Sequence, residues 1–240
     1  MDKLFKHMYK QSDASLYTML EERLKTNKKT FIVTANAEIF MNVDKSSLLY
    51  QTLLDKDTII TPDGEGVVYA AKKLGHALWG KIAGIDTVKK LLEMGDRNHS
   101  KIYFFGAKQE VIDNLYKKIT KEYPGIEIVG MKNGYDYDRS VVFQEIAKKA
   151  PDIVFVALGV PAQEKEIAEH LNQFSKGIFI GCGGSLDVLS GQKCRAPKIF
   201  IKLKLEWAYR ILKEPSRFKR FYHNNIKFMF KIKKLARQSS

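Results

Sequence analysis

Short continuous runs of hydrophobic residues alternate along the chain with stretches in which apolar residues recur at helical spacing. The runs have strand length and are rich in Ile, Val and Phe: TFIVT (30–34), DTII (57–60), KIYFFG (101–106), IEIVG (126–130), DIVFVALG (152–159) and GIFIGCG (177–183). Between the third and fourth runs, Val111, Leu115 and Ile119 mark one face of a helix. Such a pattern is typical of a mostly parallel sheet with helices on both faces. It therefore predicts a Rossmann-like α/β fold.

Small and polar residues follow several of these runs, at the edge where parallel α/β sheets bind their ligands. They occupy residues 34–36, 61–66, 106–108, 159–164 and 181–185. Turn geometry alone accounts for many of the Gly and Pro residues. It does not account as readily for Asp63 or for the pair Gln163-Glu164. The glycines would let backbone N–H groups approach a phosphate, so we expect an anionic ligand at this edge.

Asp63 stands between Pro62 and Gly64, directly after the second run, where its carboxylate has little backbone freedom. Two interpretations are open at this point. Partial desolvation in a cleft would raise the pKa of the carboxyl and suit a general base. Alternatively, the side chain caps the helix that begins near Gly64.

Motifs for nucleotide cofactors and metals are absent or weak. No GxGxxG or GxxxxGK[ST] is present, which disfavours NAD and ATP, and the two cysteines and five histidines lack zinc spacing. Asp136-Tyr137-Asp138 matches the DxD pattern with which many sugar-transferring enzymes hold a metal-bridged nucleotide. Because these acids lie between Gly134 and a helical stretch, they are more simply interpreted as a turn and an N-cap. We therefore predict no cofactor and no metal.

The 240-residue chain has a net charge of +14, and nearly all of it lies at the C-terminal end. Residues 193–240 carry 15 Lys and Arg against two Glu, a net charge of +13. Their apolar positions have helical period: Ile199, Leu203, Trp207 and Ile211, then, after Pro215, Phe218, Tyr222, Met229 and Ile232. We predict a Rossmann-like domain over 1–194 and an appendage of one or two basic amphipathic helices over 195–240.

Three roles fit the appendage. It could lie in an anionic membrane interface, where each basic residue adds about 1 kcal/mol. It could bind RNA or DNA through phosphates and stacking, or its apolar stripe could simply pack on the domain. The excess of bulky aromatic residues slightly favours the membrane. No secretory signal and no run of about 18 apolar residues is visible, so we expect a cytoplasmic protein peripheral to the membrane.

Six ordered segments together resemble the WecG/TagA/CpsF family of bacterial glycosyltransferases, over nearly the whole chain. They are TPDGEGVVYAAKKLG (61–75), KIAGID (81–86), FFGAKQEVI (104–112), ALGVPAQEKEI (157–167), GCGGSLDVLSGQKCRAP (181–197) and LEWAYRILKEPSRFKRF (205–221). The resemblance implies an inverting, metal-independent enzyme of cell-envelope polymer synthesis. Its substrates would be UDP-N-acetylmannosamine and undecaprenyl-diphosphate-linked N-acetylglucosamine. Two alternatives are a relative that uses another UDP-sugar for exopolysaccharide, and a nucleic-acid-binding protein.

The resemblance also implies residue roles. Asp63 would deprotonate the acceptor hydroxyl. The other positions would bind substrate or meet diphosphate charge: Thr34, Asn36 and Gln163 in the sugar pocket, Asp187 near the nucleoside, and Arg210, Arg217 and Arg220 on the appendage. Lys81 departs from the family, which commonly has Arg there. A Lys offers a point charge but not the bidentate fork of Arg.

Overall fold

A computed structural model describes residues 1–239 of the chain, apart from the side chains of Arg217, Arg220 and Ser239. It contains six strands, β1 (Thr30–Ala35), β2 (Thr58–Pro62), β3 (Lys101–Gly106), β4 (Glu127–Lys132), β5 (Ile153–Ala157) and β6 (Ile178–Gly181). They form one parallel sheet in the order β2-β1-β6-β5-β3-β4. All six predicted strands and the Rossmann-like α/β class are confirmed.

Helices precede, connect and follow the strands. In the domain they are α1 (Asp2–His7), α2 (Asp13–Lys25), α3 (Ala37–Asn42), α4 (Leu48–Leu53), α5 (Glu65–Lys73), α6 (Gly84–Arg97), α7 (Gln109–Glu122), α8 (Arg139–Lys149), α9 (Ala162–His170) and α10 (Ser185–Leu189). A 3-10 turn spans Leu171–Gln173. The appendage contains α11 (Lys198–Lys202), α12 (Glu206–Lys213) and α13 (Arg217–Ser239). No described helix is both long and apolar enough to span a bilayer.

The core consists of two layers, one on each face of the sheet. Successive residues of a strand point to opposite faces, so in β1 Phe31 and Val33 enter one layer while Ile32 enters the other. The predicted helix face of α7, with Val111, Leu115 and Ile119 buried, belongs to the second layer. The strands other than β4 are buried on both faces, which explains why their sequences are largely apolar rather than alternating.

The appendage has three helices where one or two were predicted, because the first predicted helix is interrupted at Lys204. This residue adopts a left-handed conformation with φ 61°. Its backbone N–H donates to the Ile201 carbonyl at 3.0 Å, and that of Leu205 donates to the Phe200 carbonyl at 2.8 Å. Together these two bonds form a Schellman C-cap, which ends α11.

The last helix, α13, packs on the domain and contributes to the core. Phe228 and Ile232 are buried in the first core layer. The ring of Phe228 lies 5.5 Å from that of Phe40 on α3, and Phe40 in turn stacks on Phe5 of α1 at 4.5 Å. The N-terminal helix and the C-terminal helix therefore meet on the same side of the sheet.

Substitution Phe228→Ala should lower the free energy of unfolding by about 3 to 5 kcal/mol, the usual cost of emptying a buried Phe site. The matched control is Phe230→Ala, two residues away on the same helix. Since Phe230 is 68% exposed whereas Phe228 is 0% exposed, the control should change stability by no more than about 0.5 kcal/mol. Urea denaturation measures both values, and equal effects would contradict the docking of α13.

Candidate active site

Two adjoining cavities lie at the carboxyl end of the sheet. The first, of about 430 Å³, is lined by the loops after β1, β5 and β6 and by α12. The second, of about 410 Å³, lies between the segment after β2 and helices α12 and α13. Five residues line both cavities: Asn36, Glu38, Asp63, Glu206 and Arg210. The predicted ligand edge is thus formed by four neighbouring strands, closed over by the appendage.

Asp63 occupies the boundary between the cavities. Its backbone N–H donates to the Ala35 carbonyl at 2.9 Å, which extends the pairing of β1 with β2 by one residue. Gly64 follows with φ 129°, a conformation that residues with a side chain rarely adopt. Helix α5 has Gly64 as its N-cap, without a side-chain cap bond. Asp63 is therefore not the N-cap of α5, so that interpretation is wrong; its carboxylate instead accepts a hydrogen bond from the backbone of Gly84, the first residue of α6.

The surroundings of Asp63 raise the pKa of its carboxyl above the ordinary value, chiefly through burial. The negative charge of Glu206 acts in the same direction. Lys81 and Arg210, and a hydrogen bond from the Gly84 backbone, oppose the rise without cancelling it. A carboxylate with a raised pKa is a better proton acceptor than an exposed one, as a general base requires.

Glu206 organises the cations beside Asp63, a role that the sequence analysis did not assign. It is only 6% exposed. Its carboxylate accepts hydrogen bonds from Lys81 Nζ at 3.0 Å and from Arg210 at 2.7 Å. Burial alone would raise the pKa of Glu206, but the two cations bring it below its usual value. Glu206 therefore stays ionised and fixes both positive charges near Asp63.

Three predicted sugar-pocket residues line the first cavity. The Thr34 hydroxyl lies 3.4 Å from the Gly181 carbonyl. Asn36 accepts hydrogen bonds from the first-turn N–H groups of α3, so its side chain carbonyl is held in place. Gln163 is buried in the wall of the cavity and accepts a hydrogen bond from the Gly183 backbone at 3.0 Å. The structure thus brings Thr34, Asn36 and Gln163 together.

Lys81 and Asp187 occupy different surroundings. Lys81 lines the second cavity rather than the first, where it pairs with Glu206. Asp187, on α10, is not among the described residues that line either cavity. Its carboxylate lies 3.7 Å from Nζ of Lys193, which does line the first cavity. Asp187 is therefore next to the first cavity and not in its wall.

Of the three predicted arginines, Arg210 lines both cavities. The side chains of Arg217 and Arg220 lie outside the described part of the structure. Arg195 adds a further cation to the first cavity, held by a bidentate pair with Asp86 at 2.6 and 2.7 Å. Neither Arg195 nor Glu206 stood out in the sequence, because each is defined by a partner far away along the chain.

The DxD acids make local hydrogen bonds. Asp138 caps α8 by accepting from the Val141 backbone, and Asp136 accepts from the Asn133 side chain at 2.6 Å. Neither lines the two cavities described above, and their local hydrogen bonds confirm the interpretation as a turn and a cap. In the described chain, one trio has ligand atoms close enough to share an ion, Glu166, Glu169 and His170, and it lines neither cavity.

Asp63, a carboxylate with a raised pKa, lies between two cavities at the ligand-binding edge of a parallel α/β sheet. The family model of the glycosyl transferase WecG/TagA/CpsF family matches residues 6–240, and the chain belongs to this family. It is therefore a glycosyltransferase.

Among its relatives are proteins named N-acetylglucosaminyldiphosphoundecaprenol N-acetyl-beta-D-mannosaminyltransferase. The protein from Bacillus spizizenii is 42% identical over 197 residues, 82% of this chain and 76% of the relative. That from Bacillus subtilis is 43% identical over 189 residues, 79% and 73% of the two chains. That from Staphylococcus aureus strain MW2 is 38% identical over 229 residues, 92% and 89% of the two chains.

The raised pKa of Asp63 gives a prediction about stability. Between the ordinary pKa of Asp and the raised value, the folded state binds more protons than the unfolded state, so stability falls as pH rises. Substitution Asp63→Asn removes this loss. Thermal denaturation should therefore show a higher midpoint for the variant than for the original chain at pH 7.5. The difference should shrink as pH falls toward 4, and a constant difference would contradict the prediction.

Proposed function

We propose that the protein transfers N-acetylmannosamine from UDP-N-acetylmannosamine to N-acetylglucosamine on undecaprenyl diphosphate, a step of cell-wall teichoic acid synthesis. The names of its relatives state the acceptor and the transferred sugar. The single observation that carries the proposal is the position of Asp63 between two cavities. A transferase needs such a group where its two substrates meet.

We assign the first cavity to the donor. It lies beyond the carboxyl ends of β1, β5 and β6, where open α/β sheets bind nucleotides. Lys193, Arg195, Arg210 and Lys213 line it and supply positive charge for a diphosphate. Thr34, Asn36 and Gln163 are the sugar-binding residues in this proposal, with Asp187 toward the nucleoside.

We assign the second cavity to the lipid-linked acceptor. Its appendage wall includes Trp207, Ile211 and Phe221, and the rings of Trp207 and Phe221 stack in parallel at 4.9 Å. This apolar wall suits the start of a lipid chain, while Lys81, Lys204 and Arg210 in the same cavity suit its diphosphate. The acceptor sugar would then reach Asp63 from the side opposite the donor.

The reaction follows from this placement. Asp63 takes the proton of the acceptor hydroxyl as its oxygen bonds to the anomeric carbon of the donor sugar. The bond from that carbon to the diphosphate breaks, and its electron pair leaves with UDP. Attack from the second cavity with departure into the first is a single displacement, which inverts the anomeric carbon. Arg210 stabilises the leaving charge, together with Arg217 and Arg220 by similarity to the family, and no metal is required.

We further propose that residues 1–194 form the catalytic domain and that 195–240 also attach it to the cytoplasmic face of the membrane. Eight large hydrophobic side chains of the appendage are exposed: Ile199, Leu203, Leu205, Trp207, Leu212, Phe218, Tyr222 and Phe230. Basic residues such as Lys219, Lys227 and Lys231 are exposed on the same helices. This combination suits an anionic lipid surface, where the acceptor resides.

Substitution Asp63→Asn should lower kcat for sugar transfer by about 10²- to 10⁴-fold, the usual contribution of a general base. Binding of UDP should stay within about threefold, because Asn keeps the size of the side chain and the cations remain. Release of UDP with a short-chain lipid acceptor measures turnover, and calorimetry measures binding. Retained turnover would remove Asp63 from the role of base.

Asp138→Asn is the matched control, since Asn caps a helix about as well as Asp. This variant should turn over like the original chain, both with and without EDTA. Loss of the original chain's activity in EDTA would instead support metal binding at Asp136 and Asp138. Replacing the donor by other UDP-sugars in the same assay tests the alternative of an exopolysaccharide enzyme.

The double substitution Leu212→Ser and Phe230→Ser should weaken binding to vesicles with anionic lipid by more than about tenfold. Each large apolar side chain that enters the interface contributes about 1.5 to 3 kcal/mol. Tyr135→Ser with Val141→Ser is the control, because these exposed side chains belong to the domain. Co-sedimentation measures binding. Salt-sensitive RNA binding with no vesicle binding would favour a nucleic-acid-binding protein instead.

A further inference from the structure

Glu164 is a buried acid that the proposed reaction does not use. It is 0% exposed and lies in the first turn of α9. Its Oε1 accepts a hydrogen bond from Gln163 Nε2 at 2.7 Å. Its Oε2 is buried and has no hydrogen-bond partner in the described chain. A Glu side chain is almost never fully buried unless it is paired, because removing an unpaired charge from water is costly.

Gln163 connects this acid to the donor cavity. Its Nε2 donates to Glu164, while its Oε1 accepts from the Gly183 backbone N–H at 3.0 Å. The opposite orientation of the amide would set its NH₂ group against the Gly183 N–H and its carbonyl against the carboxyl of Glu164. Both contacts would be repulsive, so the two partners together select one orientation.

The backbone of β6 is shaped to admit this arrangement. A Cβ atom at Gly181 would lie 2.6 Å from Gln163 Nε2 and 2.8 Å from Glu164 Oε1. Neither distance is tolerable for non-bonded heavy atoms, and both side chains are already enclosed. Gly181 is therefore required for the pair to approach the strand, which indicates that the contact is a built part of the site.

We propose that Glu164 is a positioning residue, which orients the Gln163 amide toward the sugar of the donor. The proposal rests on the assignment of the first cavity to the donor. Glu164 does not line either cavity, whereas Gln163 lines the first. Glu164 therefore acts through Gln163 and does not touch substrate.

The protonation of Glu164 is consistent with this role. Burial raises its pKa to about 7, the hydrogen bond from Gln163 opposes the rise, and the charge of Glu38 on α3 adds to it. Cys182, on the neighbouring segment after β6, is itself a buried thiol whose pKa is raised. A proton on Oε2 would leave Oε1 free to accept from Gln163, so the amide keeps one orientation in both protonation states.

The test compares substitutions that keep or remove the acceptor atom. Glu164→Gln keeps a carbonyl at the same reach and should stay within about threefold of the original kcat/KM. Glu164→Leu removes the acceptor and should lower kcat/KM for UDP-N-acetylmannosamine by about 10- to 100-fold, with a raised KM. Glu164→Asp, which keeps the charge but shortens the reach, should resemble Leu and serves where Leu does not fold.

A double-mutant cycle separates positioning from stability. In a Gln163→Leu background, Glu164→Leu or Glu164→Asp should cause no further loss of kcat/KM, because the group it positions is gone. The stability control is Ala168→Gly on the same helix, which should lower the denaturation midpoint and leave kcat/KM unchanged. Equal losses in both backgrounds, or an unimpaired Glu164→Leu, would overturn the role of Glu164.

The outcome for the original chain keeps the two proposals apart. If it transfers sugar normally and the Glu164 variants behave like it, only the positioning role fails. If it releases no UDP from UDP-N-acetylmannosamine, the proposed function fails. Calorimetric binding of UDP-sugars to the same variants then still tests Glu164, because a misoriented Gln163 should weaken whichever sugar nucleotide the first cavity binds.

Discussion

The charge balance around Asp63 is the constraint on which the site depends. A carboxylate at the buried edge of the sheet is costly unless positive charge is held close to it. Lys81 comes from the domain and Arg210 from the appendage, and Glu206 binds both. Burial raises the pKa of Asp63, Glu206 adds to the rise, and Lys81 and Arg210 oppose it. The same ion cluster that links the appendage to the domain through Glu206 and Lys81 therefore also moderates the basicity of Asp63.

Much of the fold could be predicted because its signals are local. The strands other than β4, which lies at one edge of the sheet and is only partly buried, are largely apolar runs of buried residues. Helix α7 likewise shows its buried face as apolar residues at helical spacing. The meeting of Asn36, Asp63 and Gln163 also follows from the sequence, since parallel strands present their carboxyl ends at one edge. The two interpretations of Asp63 needed the structure, because only the cap geometry at Gly64 separates them.

The remaining features depend on distant partners. Glu206 pairs with Lys81 across 125 residues, and no local pattern marks such a contact. Lys204 ends α11 in a left-handed conformation that usually signals itself by Gly, so the interruption is invisible in the sequence. Asp187 has the residue type of a ligand group, but the turn of α10 directs it beside the first cavity. Secondary-structure propensity and family resemblance predict where a residue lies in the fold more accurately than they predict the direction of its side chain.

The seating of Phe228 against Phe40 has a consequence for how this enzyme can evolve. An appendage held only by ion pairs could be replaced by the appendage of a relative. Here the appendage supplies part of the core beneath the N-terminal helix, where the rings of Phe5, Phe40 and Phe228 pack in a row. An appendage from a relative would have to fit these rings as well as the ion cluster. The two ends of the gene are therefore expected to change in concert, although they encode opposite ends of the polypeptide.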